Sequence, residues 1–401
     1  MISVSDALKR LLAITSPLET EWIDLSEAAG RVLAQDTLSP RDQPPFDSSS
    51  MDGFAVSQND SEAGKQLKII GTVPAGADIP DYCLGRNEAV RIYTGAPIPK
   101  GADRVVIVED VNDCGSIINL NEHLEENLFI RLAGSDFKKG YKVSAPHVLT
   151  PALISLLAAM NQARLLVYKK PIVSIIPTGD ELVMPGQIPA DNQIVASNVY
   201  GLKSILEVAG CEVKLLPIAR DNESSISNIL NMAQSSDLIL TIGGASVGDF
   251  DLVQDTAHKM GFEISFYKIA MRPGKPLFAG RNPRSLLVGL PGNPVSAIVC
   301  GYVFILPVIQ AMQRLNPIGL PRKIAQLSAP LNANGPREHY LRAIVDYSTE
   351  RPNIKAHEHQ DSSLLNVLYR SNALMIREPN DRPRKAGDMV KFISLNQSYL
   401  Q

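Results

Sequence analysis

Three carboxylates and three basic side chains recur beside clustered glycines in one stretch of this chain: Glu181, Asp221 and Asp251, with Lys268, Arg272 and Lys275. Carboxylate oxygens are hard ligands that suit Mg2+, an ion usually shared with phosphate and water. Lysine and arginine suit phosphate or another oxyanion. Glycines let main-chain amides approach phosphate oxygens closely, above all in the run from Gly243 and Gly244 through Ser246 to Asp251. The chemistry open to this set is that of a phosphorylated ligand held together with a divalent metal. No His/Cys set points to a softer metal. Neither a Walker A loop nor a Gly-x-Gly-x-x-Gly fingerprint is present, which disfavours ordinary ATPases and dinucleotide enzymes.

A sheet must position these residues. The apolar runs PIVSII (171–176), EVKLLPI (212–218), DLILTI (237–242), FEISFYKI (262–269) and SLLVGL (285–290) alternate with helical patterns at 198–209, 223–234, 252–260 and 294–312. Continuous apolar strands separated by single helices predict a mostly parallel sheet covered on both faces. In such a sheet ligands bind beyond the carboxyl ends of the strands. The five segments that follow these strands are 177–181, 219–221, 243–251, 271–276 and 291–294, so all should emerge on one edge. Taken singly, a Gly-Gly after a strand is an ordinary turn, and Arg272 or Lys275 a solvated loop charge. Their convergence is what makes a site.

Elsewhere the texture differs. Residues 3–14 and 26–35 read as short amphipathic helices, with Val4, Leu8, Leu11 and Leu12 on one face of the first. A Pro/Ser/Asp-rich crossing loop follows at 39–50. Residues 52–132 then alternate short β-type runs with Gly/Pro punctuation and read as a small all-β module. Helical pattern returns at 151–161, and the tail from Gly319 is β-rich. Residues 294–312 carry no charge and approach the length of a membrane span, but Gly301, Pro307 and the lack of a second span favour a buried core or interface helix.

The chain has 401 residues, 45% of them hydrophobic, enough for two to four domains with sizeable cores. A net charge of −3 with 20% charged residues gives no basic excess for nucleic acid. Cys83, Cys114, Cys211 and Cys300 stand far apart, as expected of reduced cysteines in a cytosolic protein. The first residues lack the basic-then-apolar pattern of a signal peptide, so the expectation is a cytoplasmic protein with no membrane attachment.

The loops resemble the core of the molybdopterin molybdenumtransferase family, the MoeA and gephyrin E-domain group. The segments that carry the resemblance are TGDEL at 178–182, Ser197-Asn198, TIGGASVGDFD at 241–251, RPGKP at 272–276 and GLPGNPVSA at 289–297. The N-terminal half is similar independently, in SSMDGFAV at 49–56, TGAPIPKGAD at 94–103 and GSDFKKG at 134–140. The resemblance implies a multidomain fold of α/β plus β type. Its parts would be a linker domain from residues 1–44 with 137–170, an inserted β-domain at 45–136, a doubly wound α/β molybdopterin-binding domain at 171–319 and a C-terminal β-barrel-like domain at 320–401.

The activity implied is insertion of molybdate into adenylylated molybdopterin, with release of AMP and molybdenum cofactor, by a homodimer that uses Mg2+ and contacts other proteins of cofactor synthesis. Asp52, Asp136, Glu181, Asp221 and Asp251 would be the catalytic carboxylates, the last three also holding the metal. Thr94, Gly243, Gly244, Ser246, Lys268 and Arg272 would bind substrate, together with Lys275, Pro291, Pro294, Arg342 and Ser362. Asp52, Thr94 and Asp136 would complete the cleft from the partner subunit. One departure stands out: the family's Gln-Gly-Ser turn is here Gln360-Asp361-Ser362, which adds negative charge beside the expected molybdate site. Three other readings are an adenylylating enzyme one step upstream, a receptor-clustering scaffold, and a paralogue that stores or hands over cofactor.

Overall fold

A computed structural model describes residues 1–81, 83–244 and 252–395. Strands Ile172–Pro177, Leu238–Ile242 and Leu286–Leu290 are buried almost throughout, as their unbroken apolar runs require of strands covered on both faces. The sheet runs in the order Glu212–Leu215, Ile172–Pro177, Leu238–Ile242, Leu286–Leu290, Phe278–Arg281, Glu263–Tyr267. The first four are parallel. Phe278–Arg281, too short and glycine-interrupted to stand out in the sequence, runs antiparallel between its two neighbours. Glu263–Tyr267 therefore points the same way as the parallel four, and all five expected loops leave one edge.

Helices Asn198–Val208 and Pro294–Met312 cover one face, and Glu223–Met232 with Leu252–Lys259 cover the other. The uncharged stretch is a core helix: 94% of its apolar window is buried inside the protein. A π-helical turn over Gly301–Ile305 precedes Pro307, whose missing N–H leaves the helical ladder one donor short.

Two sequence expectations change. Residues 26–35 are not a helix. A 3-10 turn at Leu25–Glu27 stops before Gly30, whose φ of +70° breaks the run, and Val32–Leu33 becomes a buried strand paired with His147–Val148. Helix Val4–Ala13, grouped by the sequence reading with the linker domain, packs instead into the α/β core through Val4, Ala7 and Leu11. Ile2 fastens it there, its carbonyl accepting from the Ala270 amide at 2.8 Å. The spacing that buries those three residues needs an apolar partner, and the Pro294–Met312 helix supplies it.

The remaining linker elements do come from two separated stretches. Strands Thr20–Asp24, Arg164–Tyr168, Val32–Leu33 and His147–Val148 form one small sheet. Between them lies the β-module, a six-stranded sheet that includes Gly53–Val56, Gln66–Val73, Glu88–Ile92 and Arg104–Ile107. At the C-terminus, five strands close into a barrel because Glu338–Asp346 pairs with both Asn353–Ala356 and Ala373–Arg377. A sixth strand joins from outside. Met271–Arg272, in the loop after Glu263–Tyr267, pairs parallel with Glu338 and His339 and ties the barrel to the α/β domain.

Candidate active site at the strand edge

Described residues of the five loops, Gly243 and Gly244 for the third, surround a cleft of about 880 Å³, which the barrel closes from the side through Arg337 and residues 360–362. The carboxylates are held by a clasp between two loops. Arg220 Nη1 donates to the main-chain oxygens of Gly179, Asp180 and Leu182 at 3.3, 2.9 and 3.3 Å. The Asp221 amide donates to Asp180 Oδ1 at 3.1 Å. The bracing presents Glu181 and Asp221 to the cleft, both exposed. Nothing in the sequence marked Arg220 beyond its place in the loop after the second strand.

The glycine pair is required by geometry. Gly243 has φ +99°, and a Cβ there would fall 2.5 Å from the Thr178 carbonyl oxygen. Gly244 has φ +65°, and its Cβ would meet Val253 at 2.5 Å. The Gly243 amide is already committed, donating to the Leu290 carbonyl at 3.1 Å, so it cannot also bind phosphate. The Gly244 amide has no partner among the described residues.

Pro291 and Pro294 bracket a turn tied on both sides. Asn198 Nδ2 donates to the Gly292 oxygen at 2.7 Å, and Asn293 Nδ2 donates to Ser362 Oγ at 3.0 Å. The Val295 amide donates to the Ser362 oxygen at 3.1 Å. Ser362 is thus seated in the cleft from the barrel side. Its neighbour Asp361 also lines the cleft; its carboxylate accepts from the Ser363 hydroxyl at 2.6 Å and the Ser363 amide at 2.8 Å, and these bonds hold it below the usual carboxylate range. These neutral donors keep the carboxylate ionised, and the Arg342 guanidinium is near enough to act on it.

Of the residues singled out in the sequence, Glu181, Asp221, Gly243, Gly244 and Arg272 line the cleft. So do Lys275, Pro291, Pro294 and Ser362. Ser246 and Asp251 lie outside the described residues. Lys268 does not line the cleft; its ammonium sits 4.6 Å from the centroid of the Tyr267 ring. Arg342 is 1% exposed and lies behind the cleft wall, its Nη1 donating to the Asp361 oxygen at 2.6 Å and its Nε to Gln360 Oε1 at 3.1 Å. Asp52, Thr94 and Asp136 sit in the loops of the β-module and do not line this cleft. There Asp52 Oδ1 accepts from the Thr94 amide at 2.7 Å and the Thr94 hydroxyl at 2.8 Å. Those bonds, the amide first, hold the Asp52 carboxyl below its ordinary value. The Asp136 amide donates to the Gln43 oxygen at 3.0 Å.

Among the described residues no three acidic, His or Cys side chains gather as a metal-binding group. Two exposed carboxylates, Glu181 and Asp221, nevertheless fit Mg2+, which is usually held by one or two protein carboxylates plus substrate phosphates.

Three family profiles match along the chain. They are described as "MoeA N-terminal region (domain I and II)" over residues 2–161, "Probable molybdopterin binding domain" over 174–311 and "MoeA C-terminal region (domain IV)" over 325–395. A molybdopterin molybdenumtransferase of Haemophilus influenzae is 34% identical, with 99% of each chain covered. A second, from Nostoc, is 33% identical over 90% of this chain and 86% of its own. A crystal structure of a molybdopterin biosynthesis moeA protein from Pyrococcus horikoshii superposes with a TM-score of 0.81 at 26% identity, over 98% of this chain and all of that one. The order of motifs, the four-part architecture and the full-length identity agree: this chain belongs to the molybdopterin molybdenumtransferase family.

Proposed function

We propose that this transferase inserts molybdate into adenylylated molybdopterin, releasing AMP and molybdenum cofactor. The observation that carries the reading is the polarity of the cleft. Glu181 and Asp221 stand on the loops after the two strands at one end of the sheet, while Arg272 and Lys275 follow the strand at the other end and Arg337 joins them from the barrel, with Asp361 the acidic group on that wall. Two anions must meet in this reaction, a phosphate-linked pterin and an oxyanion. The acidic side suits a metal-bridged phosphoanhydride and the basic side suits the oxyanion. Mg2+ held by Glu181 and Asp221 would polarise the phosphoanhydride. Arg220 keeps both carboxylates in place, and the Gly244 amide, which has no partner among the described residues, would meet a phosphate oxygen.

Asp52, Thr94 and Asp136 do not line the cleft of their own chain, which supports a homodimer in which they reach the cleft of a second copy. The reading also sets the enzyme in the cytoplasm, in contact with other proteins of cofactor synthesis. The test is molybdate-dependent release of AMP from adenylylated molybdopterin by the purified protein. Glu181→Ala and Asp52→Ala should each abolish release while leaving the thermal transition in place. Unchanged turnover in both variants would sink the assignment.

A further inference from the structure

We propose that Arg220 decides which divalent cation the cleft takes, as a positioning residue that holds Glu181 and Asp221 in the fixed arrangement Mg2+ demands and Ca2+ does not. The inference rests on the reading of those two carboxylates as metal ligands and deepens it by naming what sets their geometry. Both lie on loops that follow neighbouring parallel strands, Ile172–Pro177 and Glu212–Leu215. Main-chain bonds carry the pairing past the strand ends, the Ala219 amide donating to the Pro177 oxygen at 2.9 Å and the Gly179 amide to the Ala219 oxygen at 3.1 Å. Beyond Ala219 the Arg220 side chain takes over. Its Nη1 donates to the oxygens of Gly179, Asp180 and Leu182 at 3.3, 2.9 and 3.3 Å. The Glu181 oxygen, which it leaves out, accepts from the Ile194 amide at 2.8 Å. Every carbonyl from Gly179 to Leu182 is thus held, all but one of them by a single side chain.

This arginine differs from an ordinary loop charge. It makes no ion pair among the described residues, although Asp180, Glu181 and Asp221 all stand on the two loops it joins. Its bonds go to uncharged oxygens, so it neutralises neither metal ligand and leaves both open to a cation. The Glu181 carboxylate in turn depends on the backbone that Arg220 braces. It lies over the bare Cα of Gly179, φ +145°, where a Cβ would meet Glu181 Oε2 at 2.4 Å. Moving that turn moves the carboxylate with it. Asp221 is tied by its own amide to Asp180 Oδ1 at 3.1 Å, and the residue before it by the Arg220 amide to Ser225 Oγ at 2.9 Å. Mg2+ requires near-ideal octahedral geometry, whereas Ca2+ accepts flexible sets of roughly six to eight oxygens. A braced pair of carboxylates therefore favours the smaller ion, and a loosened pair loses that preference.

The test uses the full-length protein and Mn2+, an octahedral probe whose free ion is counted by electron paramagnetic resonance, with Mg2+ and Ca2+ as competitors. Arg220→Ala should weaken Mn2+ and Mg2+ binding at least about tenfold, the scale of losing a group that orients a metal ligand. Ca2+ affinity should stay within about threefold, so the preference for Mg2+ falls. Charge alone predicts the reverse, because deleting a cation near two carboxylates tightens the binding of any divalent ion. Arg220→Lys, which keeps the charge but is too short to reach all three oxygens, should fall between the alanine variant and the parent. If Glu181→Ala loses Mn2+ while Arg220→Ala binds Mg2+ as the parent does, this inference fails and the metal reading stands. If the parent binds no Mn2+, or Glu181→Ala and Asp221→Ala bind it equally well, both fail. A lowered melting temperature in Arg220→Ala with the Mg2+ to Ca2+ preference unchanged would make the arginine structural only and overturn the inference. Should Arg220→Ala not fold, Arg220→Lys settles the matter, because a parent-like preference in it would remove the need for the brace.

Discussion

The guanidinium of Arg342 donates to the main-chain oxygen of Asp361 at 2.6 Å, and the Gln360 side chain answers by donating to the Arg342 oxygen at 3.0 Å. A fully buried arginine thus shapes the turn that brings Ser362 into the cleft. Removing it leaves the part-buried Asp361 oxygen without that donor, at a cost of about 1–3 kcal/mol, while Gln360 Oε1 keeps the bond from the Arg342 amide. Arg342→Ala should lower the melting temperature by several degrees and weaken activity through a displaced turn. Asp361→Gly, which removes only the bonds to Ser363, should melt within a few degrees of the parent. A calorimetric scan of both variants decides; a larger loss in Asp361→Gly than in Arg342→Ala would contradict the account.

The glycine pair yields a comparison at matched backbone geometry. Gly243 and Gly261 both have positive φ, +99° and +85°, but only Gly243 has a carbonyl oxygen in the space of a Cβ. Gly261→Ala should cost roughly 1 kcal/mol, from backbone strain alone, and leave turnover unchanged. Gly243→Ala must also move the Thr178 loop, so it should cost roughly 2–4 kcal/mol and reduce turnover severely. Urea denaturation gives the first quantity and AMP release the second.

Burial, then the charges of Arg272, Arg342, Arg337 and Arg377, push His339 down to about 4. The folded protein therefore resists protonating an imidazole that the unfolded chain protonates near its ordinary value. The unfolded state binds more protons between pH 4 and the ordinary value of 6.5, so stability falls as pH drops through that window and is fully retained above it. The loss is roughly 3 kcal/mol at 1.36 kcal/mol per unit. His339→Gln should show a shallower fall than the parent over the same window. Equal slopes in paired melts from pH 7 to pH 4 would refute the assignment.

Thr94 donates twice to Asp52, and both bonds favour the ionised carboxyl. Thr94→Val keeps the amide and removes the hydroxyl, so the Asp52 carboxyl should rise toward its ordinary value. The acid-side fall of the pH–rate profile should move to higher pH accordingly. Carboxyl-carbon NMR of Asp52 follows the titration directly, and no movement in the variant would exclude the hydroxyl as a cause.

Much of this molecule is legible in its residues, and the reason is local. Buried strands such as Leu238–Ile242 must be apolar throughout, and the segment after each must turn, so strand edge and loop chemistry can be read together. That suffices to gather Glu181, Asp221, Arg272 and Lys275 as cleft residues, whereas Ser362 is expected only from the family resemblance. Short-range pattern fails where a partner decides. Residues 26–35 have helical spacing, yet the strand at His147–Val148 claims Val32–Leu33. Phe278–Arg281 is a strand only because two neighbours hold it on both sides.

Which basic side chain faces the cleft is likewise beyond composition or motif. Lys268 and Arg342 carry the right charge in matching segments, but one rests on Tyr267 and the other is enclosed behind Gln360 and Asp361. Arg337 lies in a segment with no motif and reaches the cleft through a strand pairing between domains. The sequence by itself determined the elements, the edge on which chemistry gathers and the kinds of group found there, because each follows from residues near in the chain. Only the tertiary structure decided which charges stay open to a ligand, because a charge is open or committed according to where folding sets its partners, from Tyr267 beside Lys268 to Asp361 across the turn from Arg342.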